Sequence, residues 1–441
     1  MGQNLVAQLL QRQTARVLVY DCAAAPLAPA LPSRRGQRRE LYKAGNVEDA
    51  EGLLSVMRDF GPTAVVHLAG WGMSGPDMLD AKCERVNVEG TRASLQAAIQ
   101  CGVESFIYLS TYNVVFHGQE IVAGDETMPY SAPERHTDCY SPSKAEAEKL
   151  VLAANGSRCA GGGKLLTCAL RPAAIYGAGE QRHFPRIVRL VDLGLNIRIG
   201  NAIVDWVHVD NLVSAILLAH TRLASIKGRA DKAPAGRAYF ISDGEPVDNF
   251  DFLAPVIASR YKTPPQLALP VSLCLCVAWV MEIIHKLTGL GPLVTRAEVF
   301  KVGVTHHFST SRAYWELGYV PLISSRQGAQ DMAKSLILQN KYFFDLPHCL
   351  WWMLIVGGMA LLALFSIGPE LSGAVQGFLA PVQTFALWLF GSRYMLQVVL
   401  ALACAAHVTE AAYAFFLGAC FSSFSKCVSG YKISSDASKS L

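Results

Sequence analysis

Between residues 17 and 245, short apolar runs alternate with stretches of helical period, and that alternation leaves few folds open. The runs Val17–Tyr20, Ala64–Leu68, Phe106–Ser110 and Leu166–Leu170 have strand length and strand composition. Between them, Val86–Gln100 and Ser143–Ala154 repeat apolar residues at helical spacing. A series of strand, helix and strand predicts an α/β fold built on a doubly wound parallel sheet. Residues 1–245 are therefore expected to form mainly that domain. From 246 to 340 the pattern is mixed and broken by Pro264-Pro265, which predicts a smaller substrate domain. Within it the apolar run Val271–Ile284 is interrupted by Glu282 and is short for a membrane span. It reads as a buried or an interfacial helix.

Composition enters where that pattern stops. The chain has 441 residues, 51% hydrophobic and only 17% charged, which is too apolar for a wholly soluble protein. The excess lies beyond Asp345. Cys349–Ile367, Leu371–Phe390 and Met395–Cys420 are each long enough to cross a bilayer, so 349–420 is expected to carry about three helices and 421–441 a polar tail. His407 and Glu410 share one helix face in the last of these, as a polar site or as a hydrogen bond between helices.

Other classes are disfavoured. A net charge of +4 is too weak for nucleic-acid binding, and Arg34, Arg35, Arg38 and Arg39 read as a solvated loop. Twelve cysteines are scattered without a CxxC pair, so no metal site is expected and a reducing compartment is. The N-terminus has no basic region followed by an apolar block, and so does not read as a secretory signal.

The chemistry-bearing residues fall at strand ends. Asp21 closes "VLVYD", where a carboxylate can accept hydrogen bonds from an adenosine ribose and repel a 2′-phosphate, favouring NAD over NADP. A turn aspartate at a strand end is the plain alternative. "VVHLAGWGMSG" places small residues after a strand, and "NVEG" opens a helix. "FIYLSTYNVVF" delivers Ser110 and Thr111 at a C-terminal strand end, where ligands sit in such sheets. In "YSPSK", Tyr140 and Lys144 are four residues apart, on one face of a helix. A free phenol is a poor base at neutral pH, and a neighbouring ammonium favours its phenolate. Thr111 would then bind a substrate oxygen while Tyr140 takes its proton.

Taken in order, "VLVYD", "HLAGWGMSG", "NVEGT", "YLSTYNVVF", "YSPSK", "LRPAAIYGAGEQRH" and "DWVHVDNLV" resemble the extended short-chain dehydrogenase/reductases, and within them the 3β-hydroxysteroid dehydrogenase/isomerase family. "YFISDGEPV" and "RAEVFKVGVTHHFS" resemble its 42E branch, and the likeness covers about residues 2–338. It implies a Rossmann-type fold. It implies Tyr140 as general base or acid, Lys144 as its partner and Thr111 as the hydroxyl, with Ser110 as the fallback. It also implies a cofactor groove for NAD lined by Gly2, Asp21, Asn46, Val47, Ala69, Gly70, Asn87, Ser110, Tyr140, Lys144 and Pro172, with Asn46 in place of the usual aspartate. Against the family pattern, Gly2 alone stands for the glycine loop, and the first strand and other glycines are missing. Weak cofactor binding is expected on that count.

The resemblance implies oxidation of a steroid or sterol 3β-hydroxyl, accompanied by Δ5–Δ4 isomerisation in some relatives. A decarboxylating sterol-4-carboxylate 3-dehydrogenase and a non-catalytic membrane protein are the competing readings. The expected partners are the steroid or sterol and a lipid bilayer, with a homo-oligomer compatible. The expected location is the endoplasmic reticulum membrane, the catalytic domain facing the cytosol.

Overall fold

Strand β1 (Val17–Asp21) pairs in parallel with β2 (Glu40–Ala44). Strands β3 (Ala64–His67), β4 (Ser105–Leu109) and β6 (Leu166–Pro172) belong to a second parallel sheet completed by Arg237–Ile241. Its order is Arg237–Ile241, β6, β4, β3. The computed structural model describes residues 1–11, 16–22, 40–180, 182, 184–187, 197–258 and 267–339. The chain divides into two units, Met1–Tyr342 and Phe343–Leu441, and the first is the one described here. The three apolar segments from 349 to 420, the His407–Glu410 pair, the tail, the arginines at 34–39 and Pro264-Pro265 lie outside the described residues.

The side-chain alternation of β4 shows why its strand is apolar throughout. Phe106 and Tyr108 face a layer containing Leu95, Ala147 and Val151. Ile107 faces the other way, into a cluster with Leu170, Leu212 and Ile216. With helices on both faces, each residue of the strand is buried whichever way it points. The helices are α3 (Gly90–Gln100) and α4 (Tyr140–Ala153) on one side, and Val209–Ser225 with α1 (Gly2–Gln11) on the other. This is the expected α/β architecture with parallel sheets. Among the described residues β1 and β2 pair only with each other, and β3 only with β4.

Two helix starts differ from the sequence reading for local reasons. The expected helix at Val86–Gln100 is split into a π-turn over Glu84–Glu89 and α3. Helix α4 begins at Tyr140 rather than Ser143. The Asp138 carboxylate, one residue before the N-cap Cys139, accepts from the first-turn Ser141 N–H at 2.6 Å, and Pro142 is tolerated in a first turn.

Strand β5 (Ile121–Gly124) joins His306–Phe308, Ile203–Val204 and Val247–Asp248 in a mixed sheet, drawing on residues from both sides of position 245. The helix Val271–Thr288 has 18 residues, a mean hydropathy of 1.6 and 22% of that window buried. It continues past the apolar run to Thr288, so by length and composition it could cross a membrane. Glu282, the residue that interrupts the run, points inward. Its carboxylate accepts from Arg296 Nε at 2.8 Å and from the Arg296 N–H at 2.7 Å, while Leu273 and Leu287 are exposed.

Candidate active site

The C-terminal ends of β3 and β4 and the first turns of α4 bring the predicted chemistry together. Tyr140 and Lys144 are both buried on the inner face of α4. Lys144 Nζ donates to the Leu109 carbonyl at 2.6 Å and lies 4.1 Å from the centroid of the Tyr108 ring. Thr111, buried at the end of β4, caps a short turn over Tyr112–Val114 and accepts from Asn113 Nδ2 at 3.0 Å. It lies close enough to Tyr140 to favour the ionised phenol. Ser110 is buried beside it, and its Oγ has no partner among the described residues.

Asn87 holds the loop that faces this pair. It is fully buried in the π-turn. Its Oδ1 accepts from the Trp71 N–H at 2.8 Å, and its Nδ2 donates to Trp71 O at 3.0 Å and to Ser143 Oγ at 2.8 Å. One amide thus ties the loop after β3 to α4. A Cβ placed on Gly70 would lie 3.5 Å from Asn87 Oδ1 and 3.9 Å from Lys144 Nζ, so the bare backbone keeps this wall open.

The remaining predicted residues sit on other elements. Gly2 starts α1, and its nearest side-chain neighbour is Leu68, directly before Ala69-Gly70. Asp21 closes β1 and is exposed. Asn46 follows β2 and is exposed; its side chain accepts from the Glu48 N–H at 3.1 Å, while its Nδ2 donates to Glu48 Oε2 at 2.9 Å. Val47 packs where a side chain on Gly90 would fall, at the start of α3. Pro172 ends β6 opposite Ile241. The fold therefore gathers Tyr140, Lys144, Thr111, Ser110, Asn87 and Ala69-Gly70, and carries Asp21, Asn46 and Val47 on the separate strand pair and its outlet.

Burial sets the electrostatics. It raises the Tyr140 pKa, Asp138 adds to the rise, and Arg182 and the nearby Thr111 hydroxyl work against it. It lowers Lys144 to about 7, while Glu148 one turn along α4 pulls the other way. Glu148 is itself fully buried, accepting from Arg171 Nη2 at 2.6 Å, from Arg171 Nε at 3.0 Å and from the Tyr130 hydroxyl at 2.8 Å.

Sequence reasoning missed Asp138, Ser143, the Glu148–Arg171 pair and Lys301. Asp138 had a signal, a carboxylate three residues before Ser141 at a helix start. Lys301 had none, because it reaches the site from far along the chain. Its Nζ lies 5.8 Å from the centroid of the Tyr140 ring.

Parallel strands ending in hydroxyls opposite a buried Tyr-x-x-x-Lys helix define a short-chain dehydrogenase/reductase type of α/β protein. The fold is similar to that of dTDP-glucose 4,6-dehydratase from Bacillus anthracis in complex with NAD, with TM-score 0.53 and 18% identity over 77% of this chain and 93% of that one. The profile of the 3-beta hydroxysteroid dehydrogenase/isomerase family matches residues 1–271, and the chain belongs to that family. It is 42% identical over 322 residues to short-chain dehydrogenase/reductase family 42E member 1 of Mus musculus, 71% of this chain and 79% of that protein. It is 33% identical over 350 residues to a 3-beta-hydroxysteroid dehydrogenase of Mycolicibacterium neoaurum, 78% of this chain and 89% of that protein.

Proposed function

We propose that this chain is a membrane-anchored, NAD-dependent oxidoreductase acting on the 3β-hydroxyl of a steroid or sterol. The observation that carries the reading is the buried Tyr140–Lys144 pair on α4, with Lys144 hydrogen-bonded to Leu109 at the strand end that leads into Thr111.

The residues present fit the adenosine and nicotinamide parts of an NAD site, while Gly2 alone stands where a glycine loop would cradle the pyrophosphate. The helix start at Gly2 offers free amides to a pyrophosphate, and Asp21 ends a strand where a ribose would lie. Gly70 leaves room beside Lys144, and the Ser110 Oγ is a buried hydroxyl free to bind a ligand. When bound, NAD supplies the hydride acceptor and a positive charge beside the phenol. The chain's own residues do the rest. Thr111 and Tyr140 hold the carbinol oxygen, Tyr140 takes its proton, and Lys144 stabilises the phenolate. Asn87 keeps the loop after β3 in place. A phenol whose pKa is raised by burial needs both nearby charges to act as a base. The same phenol is ready to act as an acid in the reverse reaction.

The family supports the steroid class, and the 3-beta-hydroxysteroid dehydrogenase of Mycolicibacterium neoaurum supports the 3β position. The half-exposed apolar helix Val271–Thr288 and the long apolar segments after Asp345 support a membrane location, which we place at the cytosolic face of the endoplasmic reticulum. Δ5–Δ4 isomerisation is part of the proposal for Δ5 substrates. The test is transfer of deuterium from C3 of a 3β-hydroxysteroid to NAD by the membrane-embedded protein. Labelled NADH is expected. Its absence across 3β-hydroxysteroids and sterols would reject the reading.

A further inference from the structure

Two stretches far apart in the chain, "GWGMSG" from residue 70 and "RAEVFK" from residue 296, meet beside Tyr140. Residues 72–79 run along the base of the tyrosine. A Cβ added to Gly72 would fall 3.4 Å from the Tyr140 Cβ, and the Cys139 N–H donates to the Met78 carbonyl at 2.7 Å. Asn87 holds Trp71 at the start of this loop. Its middle is held from the mixed part of the chain, where Glu298 Oε1 accepts from the Gly75 N–H at 2.9 Å. Gly75 has φ +64°, and a side chain there would run into the Arg186 guanidinium. The other oxygen of Glu298 works elsewhere. Oε2 accepts from the Thr295 N–H at 3.0 Å, closing the capping box of the helix Arg296–Gly303, and from Arg186 Nη2 at 3.2 Å. A glutamine closes such a box as well as a glutamate does. What the second carboxylate oxygen adds is the grip on the loop.

We propose that Glu298 is a positioning residue for the oxidation, holding residues 72–79 against Tyr140 from the part of the chain expected to bind substrate. The inference rests on the dehydrogenase reading above and adds the link that keeps substrate and base in register. Tyr140 is fixed on α4, and a substrate seated on the mixed part depends on how that part is tied to α4. A small slip between the two separates the phenol from the carbinol oxygen, and reaction rate falls steeply with such a misplacement. Glu298 acts through the loop backbone rather than on the reacting atoms.

The test is Glu298→Gln in the membrane-embedded full chain. An amide has one acceptor oxygen. With that oxygen kept on Thr295 and Arg186, its NH2 meets the Gly75 N–H donor to donor, so the helix cap survives and the grip is lost. With NAD and a 3β-hydroxysteroid, kcat should fall about tenfold to a hundredfold, while the Kd for NADH stays within about twofold. The isotope effect of C3 deuterium on kcat should rise, because a misplaced carbinol makes chemistry rate-limiting. A merely structural role would leave that isotope effect unmoved. By hydrogen exchange, the peptide over 72–79 should open faster and the helix Arg296–Gly303 should not. Arg186→Met removes one partner of Oε2 and should give the same signature at smaller size; it decides the matter if Glu298→Gln does not fold. Unchanged kcat and isotope effect in the folded variant, or NADH binding lost in step with kcat, would overturn this role alone. An unmodified chain that oxidises no 3β-hydroxysteroid or sterol would reject the dehydrogenase reading, and this role with it.

Discussion

The strands packed beneath the Tyr140–Lys144 helix are sealed, and the strand that ends in Asp21 is not. All seven residues of β6 are buried and β4 is nearly so, because helices cover both faces of their sheet. None of the five residues of β1 is fully buried, and Asp21 at its end is exposed. The two regions share parallel pairing but differ in what their side chains meet. At the Tyr140 end, each polar atom works in a low dielectric, where burial shifts the ionisation of both Tyr140 and Lys144. At the Asp21 end, water screens the charge and moderates each interaction. Substitutions in the first region should therefore change rate by orders of magnitude, and those in the second should change preference by a few fold.

The sharpest contrast is at Lys144. Lys144→Met should lower turnover by about a hundredfold or more, since the phenolate loses its cation. It should also stabilise the fold. Burial lowers the lysine from 10.5 to about 7, so the folded state resists a proton that the unfolded chain binds throughout that window. The penalty is complete below about pH 7 and fades as pH rises toward 10.5. At pH 7 the variant should melt higher, with a gain on the order of a few kcal/mol. A variant that melts lower at pH 7 would break the claim that this region stores an electrostatic cost for its chemistry.

A smaller effect is expected behind the lysine. Glu148 supports the Lys144 charge, so removing it should lower the lysine pKa further and move the alkaline limb of kcat/KM to lower pH. Glu148→Gln alone leaves the buried Arg171 unpaired, at a cost of about 3–5 kcal/mol. The double change Glu148→Gln with Arg171→Met is therefore the informative one. An unmoved alkaline limb in the folded double variant would detach Glu148 from the site.

The smallest effect belongs to the exposed strand pair. Asp21→Ala should weaken the preference for NAD over NADP by a few fold to about tenfold, with little change in melting temperature. Competition kinetics with the two cofactors reads this directly. NADP preferred by the unmodified chain would contradict the role given to Asp21.

The same contrast explains what could be read from sequence. Tyr140 and Lys144 are one helical turn apart, and Ser110 and Thr111 end a single apolar run, so local periodicity placed both pairs. The parallel sheet followed from alternation over long stretches. The π-turn at Glu84–Glu89 was hidden inside an ordinary helical pattern, because one wide turn hardly disturbs apolar spacing. The early start of α4 depended on a single carboxylate, Asp138. The burial of Glu148 depends on Arg171, which comes from a strand and so is not local to it in sequence. Lys301 beside the Tyr140 ring is a tertiary fact, visible only when the helix Arg296–Gly303 is placed beside α4.

The central claim is that the Tyr140 hydroxyl moves the proton in an NAD-linked oxidation. Tyr140→Phe removes that one oxygen from a buried ring and keeps its packing. NADH formation from a 3β-hydroxysteroid, measured in the membrane-embedded protein, should fall by about a hundredfold to ten-thousandfold with melting temperature nearly unchanged. Turnover within a few fold of the unmodified chain would contradict the account.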